Sequence, residues 1–221
     1  MPDYFLNTYS PLVVSPIGRK ASEDFQLPPF VDGSIRREPD LEHKFPGISC
    51  LCRAGKFAPR LKMGDTIAYL TCKRRFGESF SHRRLTAVLR VKKIFENHEL
   101  ASEWYVRKNK HLPNNCIVPG NPPKPLEHSH QRHVDRKKLS DAKLSRRWDG
   151  QYRIRASRYG SYAICRKLFC DVSWEAPIVQ DDDLIKAFGR VPGTQNPGAV
   201  PERQFLKFLK RLRVGIPPLG S

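Results

Sequence analysis

The chain has 221 residues, 25.4 kDa in all, and 39% of its residues are hydrophobic, enough to fill a core, which excludes a wholly disordered tail and fits one large domain or two small ones. Forty Lys and Arg against 22 Asp and Glu give a formal charge of +18 and a pI near 10.0, so a polyanionic partner is the first expectation. No run of 18 apolar residues occurs, and Met1 to Tyr9 has neither a basic nor an apolar leader pattern, so no membrane partner, no secretory signal and a cytoplasmic location are expected.

In chain order, Tyr4 to Leu6 is a short strand candidate, and the rest of residues 1–45, punctuated by Pro11, Pro16, Pro28, Pro29 and Pro39, is expected to be mostly loop. Lys62-Met63-Gly64-Asp65 is a turn signal that feeds an alternating strand over 66–72. A basic loop, Phe76 to Arg84, leads into a second alternating strand over 85–93, and the two form a long-looped antiparallel hairpin. Asn97 is placed to cap a helix that runs to about Lys108. A short helix is predicted over 135–147 and strands over 152–155 and 162–170. Asp181, Asp182 and Asp183 stand where helix N-terminal charges belong, ahead of Leu184, Ile185 and Phe188, with Gly189 as the stop. Phe205, Phe208, Leu209 and Leu212 then follow i, i+3, i+4, i+7, which predicts a C-terminal packing helix over 201–213. This pattern predicts a single α+β domain over 1–221, built on an antiparallel or barrel-like sheet with flanking helices.

The positive charge is concentrated. Residues 53–93 carry a net +10 and residues 132–167 a net +9, leaving the remainder at −1. Within these strips, Lys73, Arg74, Arg75, Arg83 and Arg84 and then Arg146, Arg147, Arg153, Arg155 and Arg158 are the candidates for phosphate contacts. Interleaved aromatics, Phe76 and Phe80 in the first strip and Trp148, Tyr152, Tyr159 and Tyr162 in the second, suit base stacking.

Catalytic and metal signals are sparser. Cys50-x-Cys52 and His128-x-His130-x-x-His133 lack the usual zinc spacings, so no metal is assigned, and no Walker or dinucleotide motif calls for a cofactor. The six cysteines are scattered and are expected to be free thiols. Cys116 or His128 would be the nucleophile, acid or base of an enzyme reading, with Asn115, Asn121 and Gln195 as hydrogen-bonding partners.

Phe57-Ala58-Pro59, Gly64-Asp65 with its strand, Trp104-Tyr105, Leu112-Pro113-Asn114-Asn115-Cys116, Gly120-Asn121-Pro122-Pro123 and the run from Phe188 to Gln195 together resemble the nucleotide-modification-associated domain families of bacteria and phages, over roughly residues 45–212. More distantly, the Gly64-Asp65 turn and its two strands resemble the PUA-like superfamily of EVE, YTH and ASCH domains. The resemblance implies a PUA-like β-barrel or strongly curved sheet that holds a nucleotide in an aromatic pocket. The pocket candidates are Tyr69, Trp104, Tyr105, Asn115, Asn121 and Gln195. The expected function is therefore nucleic-acid binding, DNA ahead of RNA, with recognition of a base that can be a modified one, linked to DNA modification or defence; the alternative is an enzyme that modifies a base or nucleotide.

Overall fold

The computed structural model describes residues 1–49, 51, 55–131, 139–194 and 196–217. The chain is α+β, with a mixed sheet curled into about half a barrel and, among the described residues, five α-helices around it. The strands are β1 (Tyr4–Tyr9), β2 (Gly47–Ser49), β3 (Thr66–Thr71), β4 (Arg83–Phe95), β5 (Tyr162–Cys170) and β6 (Ile178–Val179). Their order is β1-β3-β4-β5-β2, with β6 paired to the start of β4. The expected antiparallel sheet is corrected at one edge, because β1 runs parallel to β3. A parallel pair needs a long crossover, and the connection from Ser10 to Asp65 supplies it.

The hairpin of β3 and β4 forms as the alternation predicted, with Ile67 opposite Leu89 and Tyr69 opposite Ala87. Register shifts at Tyr69/Leu70, Val88/Leu89 and Val91/Lys93 put irregularities into the central strands. Each adds local twist, which is what curls a sheet of this size. The Gly64-Asp65 turn is anchored by the Asp65 carboxylate, which accepts from the Asp3 amide through Oδ1 and the Lys62 amide through Oδ2, both at 2.8 Å. Gly64 sits at φ +90°, where a side chain would be strained.

Both faces of the sheet are buried. Phe5, Ile67, Tyr69, Leu89 and Val91 pack with Phe57 and Leu61 on one side. Leu6, Ala68, Leu70 and Val88 pack on the other against α4 (Asp181–Phe188) and α5 (Glu202–Arg211), through Phe188, Phe205 and Phe208. Each of the two fully buried phenylalanines of α5 contributes about 2–3 kcal/mol. The helix α2 (His98–Arg107) starts where Asn97 Oδ1 accepts from the Leu100 amide at 2.8 Å, and it buries Trp104 and Tyr105.

Two expectations are corrected. The segment 152–155 is not a strand; it lies in α3 (Asp141–Arg158), which also replaces the helix expected over 135–147, whose first residues lie outside the described ones. Tyr152 and Ile154 mimic a strand alternation, yet Leu144, Tyr152 and Ala156 are buried at multiples of four while Ile154 is exposed. The N-terminal segment, loop over most of its length, also holds regular structure. It extends β1 to Tyr9 and forms α1 (Pro16–Asp24), whose cap Ser15 accepts from the Gly18 amide at 3.1 Å. Its coil from Phe30 to His43 is nearly all buried, although it holds Asp32, Arg36, Arg37, Glu38 and Asp40.

Candidate functional site

The buried coil brings charged groups into the interior, and hydrogen bonding shows which are structural. Arg36 is wholly enclosed; its Nε donates to Asp149 Oδ1 at 2.7 Å, and its Nη1 donates to the carbonyls of Asn114 at 3.0 Å and Asn121 at 2.9 Å. Arg37 donates to the carbonyls of Asp32 and, at 3.0 Å, His128. Asp40 Oδ2 accepts from the Asn114 amide at 2.8 Å. These bonds tie the coil to α3 and to the loop around Asn114–Asn121.

Asp32 and Glu38 do something else. Both face a cavity of about 320 Å³ at the end of β1, where His130, Tyr152, Arg155 and Cys72 complete the wall. The Asp32 Oδ1 accepts from the amide of Ser34 at 2.9 Å and from its hydroxyl, whereas Oδ2 makes no hydrogen bond to a described residue. Glu38 Oε1 accepts from the Ser49 amide at 2.8 Å, and Oε2 accepts from Ser49 Oγ at 2.7 Å and Asn115 Nδ2 at 2.8 Å. Burial outweighs these bonds, so the Asp32 carboxyl lies above the usual range and Glu38 is pushed up to about 7. Tyr152 is held by Gln131, whose Nε2 donates to its hydroxyl at 2.9 Å, and Arg155 lies over the Tyr152 ring with Nη1 on the Leu51 carbonyl at 3.2 Å.

The imidazole of His130 rests on the backbone of Gly33. A Cβ at Gly33 would overlap the ring atoms Nδ1, Cε1 and Cγ, while the His130 amide donates to the Gly33 carbonyl at 2.9 Å. Gly33→Ala is therefore expected to push His130 off its seat and to lower stability by about 1–3 kcal/mol, the usual consequence of overpacking. Thermal unfolding of the variant checks this, and an unchanged Tm would show that the ring is free to move aside.

The sequence-predicted residues distribute unevenly around this site. Tyr69, Trp104 and Tyr105 are buried in the packing clusters on β3 and α2, and none of them lines the cavity. Asn115 is enclosed and braces Glu38 while accepting from the Tyr162 hydroxyl at 2.8 Å. Asn121 staples its own loop, with Nδ2 donating to the Pro113 and Cys116 carbonyls at 3.0 and 2.6 Å. Gln195, Cys50, Cys52 and His133 lie outside the described residues. Cys116 is fully buried, its thiol pushed up to about 12 by burial, and His128 packs against Phe25 with ring centroids 4.5 Å apart; neither lines the cavity. Among the described residues, no group of three or more His, Cys, Asp or Glu is placed to hold a metal ion, and no helix is long and apolar enough to cross a membrane.

Of the basic residues, Lys73 and Arg83 both bind Asp181 at 2.6 Å, and these two cations hold its carboxyl below the usual range. Arg84 is buried, with Nη1 on the carbonyls of Trp174 at 3.0 Å and Ala176 at 2.9 Å, and it lies over the Phe30 ring. Arg74 and Arg75 are exposed. On α3, Arg146, Arg147, Arg153 and Arg158 share with Lys143 the exposed face opposite the buried stripe, a row about 22 Å long from end to end. Arg153 also binds Asp149 at 2.8 Å, and Arg155 stands at the margin beside Tyr152.

Sequence reasoning missed Asp32 and Glu38 because charged residues in a Pro-rich stretch have the composition of a solvated loop, and no local pattern marks them as buried. It also passed over Trp174, which is 47% exposed and packs edge-on against Phe30 at 5.1 Å. Compared with known proteins, the chain matches no family model, no curated protein and no solved structure.

Proposed function

We propose that this protein binds nucleic acid, DNA foremost, along the exposed basic face of α3 and the Arg74-Arg75 loop, and takes one base into the cavity of Asp32, Glu38, His130 and Tyr152. The observation that carries this reading is that the cavity draws its wall from both basic segments of the chain. Its wall includes Cys72, which directly precedes Lys73-Arg74-Arg75, together with Tyr152 and Arg155 of α3. Phosphates held on both sides would leave a base over an opening with aromatic and hydrogen-bonding walls. The resemblance to nucleotide-modification-associated domains supports a role in DNA modification or defence.

Salt dependence tests it. A log–log plot of affinity against salt concentration is expected to be steep, and replacing Arg146, Arg147 and Arg158 together by glutamine is expected to reduce its slope by about 2–3 and affinity at low salt by tenfold or more. A slope near zero in the wild-type protein would sink the proposal.

A second reading, an enzyme that modifies a base, is favoured by one observation: two carboxyls and an imidazole, the ordinary groups of acid–base chemistry, face a single cavity. It transfers the catalytic assignment from Cys116 and His128 to Asp32, Glu38 and His130. Mass spectrometry of DNA incubated with the protein distinguishes the two readings, since a binder leaves its bases unchanged.

A further inference from the structure

The polar wall of the cavity between β1 and α3 holds both acidic and basic groups, His130 among the latter. Two of its residues carry carboxyl groups. Asp32 is 8% exposed; its Oδ1 is occupied by Ser34, and its Oδ2 has no hydrogen-bond partner among the described residues. Arg37 does not supply one, since it donates to the backbone carbonyl of Asp32 and not to the carboxylate. Glu38, 6% exposed, accepts three hydrogen bonds, and a carboxylate has about four lone-pair sites. Arg155 lines the same cavity; it commits Nη1 to the Leu51 carbonyl and keeps further N–H groups at the margin. The hydroxyl of Tyr9, which also lines the cavity, is turned away to the Phe30 carbonyl. The cavity thus offers acceptors deep in its wall and a cationic donor at its edge. Asp32 Oδ2 is left open toward the cavity, where a ligand N–H can bind in place of solvent.

We propose that the base accepted by this cavity is guanine, with its N1–H and N2 amino group donating to the Asp32 and Glu38 carboxylates and its O6 accepting from Arg155. The assignment rests on the nucleic-acid reading above and names its ligand. Guanine alone of the four bases carries two adjacent donor groups beside a carbonyl acceptor on its pairing edge. Thymine has one donor flanked by two carbonyls, which would face the carboxylates and be repelled. Adenine and cytosine each have a single amino group next to a ring-nitrogen acceptor, and so satisfy one carboxylate and oppose the other.

The test uses the full chain and short single-stranded oligothymidylates in which one central position is guanine, inosine, adenine or thymine. Guanine is expected to bind tightest, and inosine, which lacks only the 2-amino group, about 10- to 100-fold more weakly. All four should share one salt slope, because their phosphates are the same. Equal binding of guanine and thymine with a steep slope overturns the guanine assignment and leaves the nucleic-acid reading standing. Absence of binding to every oligonucleotide overturns both. Asp32→Asn, which turns an acceptor into an amide able to donate, is expected to shrink the guanine-over-thymine preference to about threefold or less; an unchanged preference in a variant that melts like the wild type counts against the proposal. Should that variant fail to fold, the base series on the wild-type protein decides alone.

Discussion

Replacing Arg36 by leucine is expected to lower the free energy of unfolding by about 3–5 kcal/mol. The guanidinium is fully buried and donates to three acceptors, one on α3 and two in the loop from Asn114 to Asn121. Leucine removes all three bonds at once and leaves Asp149 with only the half-exposed Arg153 as a cationic partner among the described residues. Burial raises the Asp149 carboxyl and the two arginines more than reverse it, holding the group ionised below its usual range, so losing one of them strands a charge. Urea denaturation measures the loss, and hydrogen exchange should show α3 opening before the sheet. Arg36→Leu combined with Asp149→Leu should recover part of the stability, since neither charge of this pair then remains without the other. A loss below about 1 kcal/mol in the single variant would show that water reaches this pair.

The second large effect is a pH dependence that resides in Glu38. In the folded chain its carboxyl is pushed up to about 7 by burial, against an ordinary value of 4.5. A carboxyl raised on folding favours the native state while both forms are protonated, below the ordinary value. As pH climbs from 4.5 to 7 the unfolded chain releases this proton first, and stability falls by about 3 kcal/mol before levelling off. Glu38→Gln cannot titrate. The stability of the variant relative to wild type should therefore improve by about 3 kcal/mol between pH 4.5 and pH 8, whatever the absolute effect of the amide on the bonds from Ser49 and Asn115. Paired urea titrations across that range give the answer, and a difference that stays flat would place the Glu38 titration near that of an ordinary glutamate.

Much of the frame was legible because its signals are local. The strands β3 and β4 alternate apolar residues behind a Gly-Asp turn, α2 begins at its asparagine cap, and α5 repeats phenylalanine and leucine at helical spacing. The acidic triplet before α4 was also readable as helix-start chemistry: Asp183 closes a capping box with Gln180, although Asp181 turned out to clamp Lys73 and Arg83. Misreadings arose where local and tertiary signals part. In α3 the apolar stripe is narrow and crowded by arginines, so Tyr152 and Ile154 suggested the wrong period. In α1 only Gly18 and Ala21 are buried, too few to show a periodicity.

Composition and charge placement by themselves determined that the chain has a core, that its frame is α+β, and that its positive charge falls in two separate strips, because these depend on residue type and spacing alone. Only the tertiary structure decided that Arg84 is interior while Arg146 and Arg147 are outside, that Trp104 and Tyr105 belong to packing, and that Asp32 and Glu38 face a cavity. The physical reason is the same in each case. Whether a charged side chain is buried depends on partners far away in sequence, the carbonyls at Asn114, Asn121, His128 and Trp174 among them, and no neighbouring residue announces them.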